Sequence, residues 1–378
     1  MSIKILIAGG GTGGHVFPGV AVAEALEKMD GHTSVMWIGT GRPVERNILK
    51  DRGWIYRVLD VKPVYGHGMP GTVMAMLALP LALLRALSLI GKFKPDVVLG
   101  VGGYVSGPVI VAARLAGKRV AIHEQNFAPG LANRWAGRFA HVILTSFSGT
   151  ASYFPAGCLE KIECTGNPVR LSLVEKAAGY GVRRRGREPS VLVLGGSQGA
   201  AGLNRLAASA LQGLGKSGLP VRVVHQAGPG RVEETEQFYR EMKNARVVEF
   251  IDDMAMAYGK ADLVICRAGA TTIAELSALG KPSVLIPYPY SAEGHQDVNA
   301  RVMAENGAAL YFQQADTGSV MLGSEIEKLL KDEKRLDSMG KKAKVLGKPE
   351  AAERIAASLL DMVVERHDPV QGKCIKNS

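Results

Sequence analysis

Two glycine-rich turns, with imidazole, carboxylate and amide side chains close by, are the parts of this chain best suited to chemistry. Gly9-Gly-Gly-Thr-Gly-Gly14 runs directly into His15, and Gly195-Gly-Ser-Gln-Gly199 runs into a stretch rich in Ala and Leu. A glycine turn ahead of a helix lets backbone N–H groups approach phosphate oxygens, and the helix dipole adds favourable potential. Gly9-x-Gly11-x-x-Gly14 formally matches the dinucleotide fingerprint. That fingerprint also needs an acid at the end of the second strand to hold ribose hydroxyls. Here the strand closes as Val35-Met-Trp-Ile38-Gly39-Thr40 with no acid, which argues against a dehydrogenase. Gly195-x-Ser197-x-Gly199 matches the nucleophile elbow of serine hydrolases, with Asp252 or Asp262 and His295 in the expected order. A hydrolase, however, leaves the first glycine turn unexplained.

A cleft enzyme uses both turns: one from each half of the chain would face a shared ligand beyond the carboxyl ends of the strands. A nucleotide sugar fits, with its diphosphate at a helix N-terminus, base and ribose on one domain and an acceptor on the other. No Asp-x-Asp triplet occurs, so the usual acidic handle for a metal-bound nucleotide diphosphate is missing. Leaving-group charge must then be met by helix N-termini and side chains.

The elements that position these turns read as a repeated strand–turn–helix pattern. Ile3–Ala8 is a short apolar run stopped by glycines. From Pro18 to Met29 the apolar residues Val22, Ala25, Leu26 and Met29 recur at helical spacing, with Pro18 suited to the first turn and Gly31 placed to end the helix. Further strands are expected at Ser34–Ile38, Asp96–Val101, Arg119–His123 and His141–Thr145. A second start at Ser190–Leu194 leads to a helix reaching Leu211, then strands at Val221–His225, Val247–Phe250, Leu263–Cys266 and Ser283–Ile286. Alternating strands and helices predict an α/β fold with parallel sheets covered on both faces. Asn167-Pro168 and Gly179–Pro189, with Arg183, Arg184, Arg185 and Arg187, read as hinge and solvated linker. Residues 325–365 read as charged helices, and Arg366–Ser378 as a frayed tail.

Composition sets the frame. At 378 residues, 47% hydrophobic and 21% charged, the chain has room for two domains with large cores, and disorder or a disulfide scaffold is excluded. Its four cysteines (Cys158, Cys164, Cys266, Cys374) form no C-x-x-C pair, which suits a reduced compartment. The opening apolar run is too short for a signal peptide, so the chain is expected to stay in the cytosol. Net charge is +11 and uneven: residues 1–170 hold 18 Lys and Arg against 10 Asp and Glu. Such an excess favours polyanionic partners, whether nucleic acid, an anionic lipid surface or a phosphorylated substrate, with simple solubility as the alternative.

Six segments stand in one order: Gly9–Pro18, Gly102-Gly-Tyr-Val-Ser-Gly107, His123-Glu-Gln-Asn126, Thr165-Gly-Asn-Pro-Val-Arg170, Gly195–Ala200 and Arg267-Ala-Gly-Ala-Thr-Thr-Ile-Ala-Glu275. Together, over roughly residues 3–360, they resemble the peptidoglycan GlcNAc transferase family called MurG. The resemblance implies a GT-B fold: two Rossmann-like domains with parallel sheets facing a central cleft. It divides the chain into an acceptor and membrane domain (1–166), a UDP-GlcNAc domain (167–349), a helix packing back on the first domain (350–365) and a tail (366–378). It implies inverting transfer of GlcNAc from UDP-GlcNAc to undecaprenyl-diphosphate-linked lipid I, giving lipid II through a β-1,4 bond, with no cofactor and no metal. Other cell-wall synthesis proteins are further partners it admits, and nucleic acid is not one.

Residue roles follow from the same resemblance. His15, at a helix start whose potential favours neutral imidazole, would take the acceptor hydroxyl proton. Binding the acceptor diphosphate or capping the helix is its alternative role, and Glu124 is the rival base. Thr12, Gly13 and Gly14 resemble sugar-side contacts, Asn126 a donor-sugar ligand and Tyr104 an acceptor-side residue. Arg170 would lie near the uridine or form a hinge ion pair, Ser197 would bond the diphosphate, and the Ile251 backbone would read uracil. Ala270, Thr271, Thr272, Ile273 and Ala274 form a turn into a helix, where Glu275 would accept the ribose hydroxyls or, as the alternative, stabilise the helix dipole as a first-turn acid. Gln296 would bond donor-sugar hydroxyls, although Tyr288-Pro-Tyr-Ser-Ala-Glu-Gly294 departs from the Gln/His/Lys-rich loop of the family.

The most apolar run, Thr72–Leu84, carries Pro80 and is shorter than the ~20 residues of a spanning helix. With Lys62, Arg85, Lys92 and Lys94 around it, it reads either as a buried core helix or as a surface for an anionic bilayer interface. Leu77, Leu81, Leu84 and Arg85 are the expected membrane contacts, placing the chain peripherally on the cytoplasmic side of the cell membrane.

Overall fold

The structure, a computed structural model, describes residues 2–61, 68–180, 188–196, 199–216 and 218–367. Two compact units emerge: residues 1–170 joined by the chain from Glu350 onward, and residues 171–349.

The first unit opens with β1 (Lys4–Ala8), α1 (Gly13–Met29), β2 (Ser34–Gly39), α2 (Pro43–Leu49) and β3 (Ile55–Val58). It continues with α3 (Gly68–Phe93), β4 (Val97–Gly100), α4 (Ser106–Leu115), β5 (Arg119–Glu124), α5 (Leu131–Ala136), β6 (Val142–Thr145) and β7 (Ile162–Cys164). Its seven strands are all parallel, in the order β3-β2-β1-β4-β5-β6-β7.

The second unit contains α6 (Leu171–Ala178), β8 (Ser190–Leu194), α7 (Ala201–Lys216), β9 (Arg222–Gln226), α8 (Val232–Phe238), β10 (Ala245–Val248) and α9 (Met254–Lys260). There follow β11 (Leu263–Cys266), α10 (Ala270–Leu279), β12 (Ser283–Leu285), α11 (His295–Glu305), β13 (Ala309–Tyr311), α12 (Ser319–Lys331) and α13 (Glu333–Leu346). Its six parallel strands run β10-β9-β8-β11-β12-β13.

Side chains alternate across a strand, so an all-apolar strand needs cover on both faces. On β1, Ile5 and Ile7 pack with Val20, Leu26 and Trp37, while Leu6 and Ala8 pack with Ala86, Ile90 and Val109. Helix α1 covers the first face together with α14 (Ala351–His367), which returns from the far end of the chain to place Ile355 and Leu359 in that core. Helices α3, α4 and α5 cover the other. In the second unit, Leu203, Ala207 and Leu211 of α7 and Leu322, Ile326 and Leu329 of α12 seal Val191 and Val193 of β8.

Several details differ from the sequence reading. Helix α1 starts at Gly13, so Pro18 lies in its second turn rather than its first. There the absent N–H removes the bond that would reach the Gly14 carbonyl. Helix α7 runs five residues past Leu211, and β3, β7 and β13 are additional short strands at sheet edges. The run with Pro80 belongs to one 26-residue helix, α3. Cys158, Cys164 and Cys266 are free thiols. Lys62, the linker arginines 183–185 and 187, and the tail from residue 368 lie outside the described residues.

Candidate active site

In each sheet the strand order reverses once, between β1 and β4 and between β8 and β11. Ligands in open α/β sheets bind outside the carboxyl ends of the strands at such a switch point. Both glycine turns lie there.

In the first unit the chain leaving β1 is held from several sides. The Gly9 N–H donates to the Ile38 carbonyl (3.1 Å), and the buried Trp37 indole donates to the Gly9 carbonyl (2.9 Å). From β4, Gly102 and Gly103 both adopt left-handed backbone (φ 96° and 80°), and a Cβ on Gly103 would lie 2.5 Å from the Gly10 carbonyl oxygen. The two turns therefore pack backbone to backbone. Thr12 caps α1 with its carbonyl, which accepts the N–H groups of His15 and Val16. His15 is half-buried in the first turn. Its ring lies against Gly102, and its Nδ1 is 3.3 Å from the Gly10 carbonyl oxygen.

Beneath this turn sits a residue the sequence reading did not single out. Glu45 of α2 is fully buried, and five donors converge on its carboxylate. Oε1 accepts the Gly11 N–H (2.6 Å) and the Thr40 hydroxyl; Oε2 accepts the N–H groups of Thr40 (2.7 Å) and Gly41 (3.1 Å) and the Tyr56 hydroxyl (3.0 Å). Burial, with the Glu45 carboxylate beside it, pushes the Tyr56 hydroxyl up to about 12. Arg42 donates to the Gly11 carbonyl (3.0 Å), so the peptides flanking Gly11 are gripped from both sides.

At the end of β5, Glu124 is only 2% exposed. Its Oε1 accepts the backbone N–H (2.8 Å) and side-chain amide (3.2 Å) of Asn126, and its Oε2 accepts the Asn133 amide (2.7 Å). Burial raises the carboxyl above its ordinary range, and the amide donors offset part of that rise. The carboxylate thus presents Asn126. Gln125 ties this strand end to β4 through the Val101 carbonyl (2.8 Å). Tyr104 is exposed, and Arg170 stacks its guanidinium over Phe17 of α1 at 5.3 Å. Gly13 and Gly14 begin α1, half-buried and exposed respectively.

In the second unit Gly195-Gly196 follow the end of β8; Ser197 lies outside the described residues. A Cβ on Gly199, left-handed at φ 68°, would strike the Ala227 carbonyl oxygen at 2.2 Å. Gln226, at the end of β9, bridges two segments: its amide donates to the Gly196 carbonyl (3.1 Å) and its oxygen accepts the Ile251 N–H (3.0 Å). The Ile251 N–H is therefore already engaged within the unit. Ala270, Thr271, Thr272 and Ala274 are half-buried in the first turns of α10, and Ile273 is buried. Glu275 is half-buried and accepts the hydroxyl of Tyr258 from α9 (2.8 Å). Gln296, in the first turn of α11, accepts the Tyr288 N–H (2.9 Å), so here it pins the loop after β12. Arg267, also buried, donates to the carbonyls of Ile286 and Pro287 and to Gln314, and burial pushes it down to about 10. Among the described residues no cluster of three His, Cys, Asp or Glu is placed to hold a metal ion.

On α3, Leu81 and Leu84 are 53% and 62% exposed and share their face with exposed Arg85, while Ala82, Ala86 and Ile90 are buried. The Leu77 side chain lies outside the described residues. Among those described, no helix is long and apolar enough to cross a membrane.

The glycosyltransferase family 28 N-terminal domain matches residues 5–145, and the family 28 C-terminal domain matches residues 190–355. The UDP-N-acetylglucosamine–N-acetylmuramyl-(pentapeptide) pyrophosphoryl-undecaprenol N-acetylglucosamine transferase of Myxococcus xanthus (strain DK1622) is 42% identical over 368 residues, covering 97% of this chain and 95% of its own. The crystal structure of Acinetobacter baumannii MurG superposes with a TM-score of 0.76 at 32% identity, covering 94% of this chain and 99% of that one. The chain belongs to the MurG family.

Its fold is accordingly GT-B. The crystal structure of UDP-GlcNAc 2-epimerase from Neisseria meningitidis has a TM-score of 0.69, covering 95% of this chain and 100% of that one, but only 15% identity, a likeness of fold alone. The segments carrying the MurG resemblance sit on carboxyl ends of strands: Gly9–Gly14 after β1, Gly102-Gly103 after β4, His123–Asn126 at β5, Gly195-Gly196 after β8 and Arg267–Glu275 after β11. Glu45, Asn133, Gln226 and Tyr258 hold these MurG segments in place without belonging to any of them. The one sequence signal for Glu45 was an acid in the first turn of the helix that follows the acid-free end of β2.

Proposed function

We infer that this chain transfers GlcNAc from UDP-GlcNAc to the MurNAc-pentapeptide of undecaprenyl-diphosphate-linked lipid I, giving lipid II for peptidoglycan synthesis. The observation that carries the reading is near-full-length relatedness to a transferase of that name, with a glycine turn at the switch point of each sheet.

The reaction is a single displacement with inversion. The acceptor hydroxyl oxygen attacks the anomeric carbon, its proton passes to a base, and UDP leaves with the bonding pair. His15 is that base in our reading, because the Glu124 carboxylate is buried and committed to Asn126 and Asn133. Asn126 then faces the donor sugar as a preset amide. Developing charge on the leaving diphosphate is met by the N-terminal end of α7 with Ser197, since preorganised donors act most strongly where charge appears. Glu275 takes the ribose hydroxyls, Ile251 the uracil, Arg170 the uridine side and Gln296 the sugar hydroxyls. Thr12, Gly13, Gly14 and Tyr104 line the sugar and acceptor side.

The polyprenyl carrier of the acceptor stays in the bilayer, so the enzyme must work at the cytoplasmic membrane surface. Leu77, Leu81, Leu84 and Arg85 are the contact we assign, an apolar face with basic residues beside it.

Radiolabelled UDP-GlcNAc with a soluble lipid I analogue in EDTA tests the reading. Label should move to the lipid with wild-type protein and fall by on the order of 10²-fold or more with His15→Ala. UDP release without acceptor, or an acceptor-independent change in the sugar, would overturn it.

A further inference from the structure

We propose that Glu45 is a positioning residue for His15, acting through the single peptide group between Gly10 and Gly11. The N–H of that peptide donates to the Glu45 carboxylate at 2.6 Å, and its carbonyl oxygen lies 3.3 Å from His15 Nδ1. This inference rests on the reading of His15 as the base.

The chemistry of the relay follows from what each group can do. A carbonyl oxygen only accepts, so the contact with Nδ1 is a hydrogen bond only when Nδ1 carries the proton. The lone pair then belongs to Nε2, the nitrogen 3.1 Å from where a Cβ on Gly102 would sit. A peptide whose N–H is drawn to a carboxylate is a stronger acceptor at its oxygen, because hydrogen bonds in a chain polarise one another. A buried anion therefore favours the Nδ1–H tautomer before proton transfer and the imidazolium after it. An Asp–His pair does the same by direct contact; here a backbone amide lies between.

The packing makes the relay stiff. A Cβ on Gly10 would lie 2.5 Å from Glu45 Oε1, and one on Gly39 would lie 2.4 Å from Oε2. With five donors aimed at two oxygens, no amide can replace the carboxylate without setting donor against donor. The anion niche that a glycine turn ordinarily offers to phosphate is filled at Gly11 by the protein's own carboxylate.

Nitrogen-15 NMR of the full-length, histidine-labelled protein at neutral pH reads the tautomer directly, with the His15 resonances identified by their loss in His15→Gln. The expected pattern is a protonated Nδ1 and an unprotonated Nε2. An Nε2–H tautomer would overturn the proposal, and this measurement needs no Glu45 variant to fold. Glu45→Gln should lower kcat on the order of 10²-fold with KM for UDP-GlcNAc unchanged. It should also move the acid limb of the kcat/KM profile to lower pH, a shift that loosened packing alone would not give. A folded Glu45→Gln protein with wild-type kcat and an unmoved acid limb would sink the relay. If His15→Ala retains full transfer while the tautomer is as expected, the base assignment fails and the tautomer relay stands.

Discussion

His123 ties pH to stability in a way that can be worked through. It is 1% exposed at the end of β5, where its Nε2 donates to the Gly166 carbonyl (3.0 Å) and its Nδ1 accepts from the Gln125 amide (3.1 Å). A second proton would have to go on Nδ1 and would face an N–H. Turning the Gln125 amide over offers no escape, because the same nitrogen donates to the Val101 carbonyl at 2.8 Å. Burial accordingly pushes the imidazole down from 6.5 to about 4. A histidine lowered on folding contributes stability that is complete above its unfolded value and is lost as pH falls through the folded one. The window is therefore 6.5 down to about 4, and the loss across it is about 3 kcal/mol. Urea unfolding of wild type and His123→Gln at intervals from pH 7.5 to 4 isolates this group, since every other titration occurs in both proteins. The advantage of wild type should shrink by about 3 kcal/mol over the window. Parallel profiles would mean that the imidazole can be protonated in place, and the hydrogen-bond argument would be wrong.

Three further outcomes are expected. Gly103→Ala, at a left-handed φ and 2.5 Å from the Gly10 carbonyl, should cost about 1–3 kcal/mol in thermal or urea unfolding and abolish most transfer; full activity would show that the two turns need not abut. Gln226→Leu strands the buried Ile251 N–H, about 1–3 kcal/mol, while the exposed Gly196 carbonyl turns to water, and should weaken UDP binding in calorimetry about tenfold; an unchanged Kd with lowered stability would make Gln226 structural only. Leu81→Glu with Leu84→Glu should reduce binding to anionic liposomes while leaving UDP affinity and unfolding midpoint unchanged, because both side chains are exposed; undiminished liposome binding would move the membrane contact elsewhere.

Most strands legible in the sequence are buried on both faces, such as β1, β8 and β11, whose uninterrupted apolar runs permit little else; the half-buried edge strand β10 is legible too, but begins two residues earlier than its sequence pattern suggests. The three short strands that escaped notice lie at sheet edges. Ile55-Tyr-Arg-Val58 exposes Ile55, Arg57 and Val58, so its pattern resembles a loop. The start of α1 was also hidden, since Gly13 and Gly14 carry no helical signal and the turn before them is fixed by contacts with Trp37, Glu45 and Gly103. The same cause limits the site. The glycine turns and His15 are local patterns, readable from neighbours in the chain. Glu45 acts on Gly11 across 34 residues and Gln226 on Ile251 across 25, and only the folded sheet brings those pairs together. In the sequence Glu124 is a rival base beside Asn126; its commitment to Asn133 depends on where α5 lands.

The return of α14 to the first unit governs how the protein can be made and taken apart. Residues 171–349 are a contiguous insertion, whereas the first unit consists of two pieces of chain. During synthesis the second unit emerges whole before Ile355, Leu359 and Met362 exist to cover the apolar surface of α1 and the first sheet. That surface must wait, bare and prone to association, for the last helix to leave the ribosome. A stop codon near residue 350 should therefore spare the later-made unit and ruin the earlier one. For the same reason the second unit can be expressed alone by simple truncation, but the first needs residues 1–170 joined by a linker to the helix from Ala351.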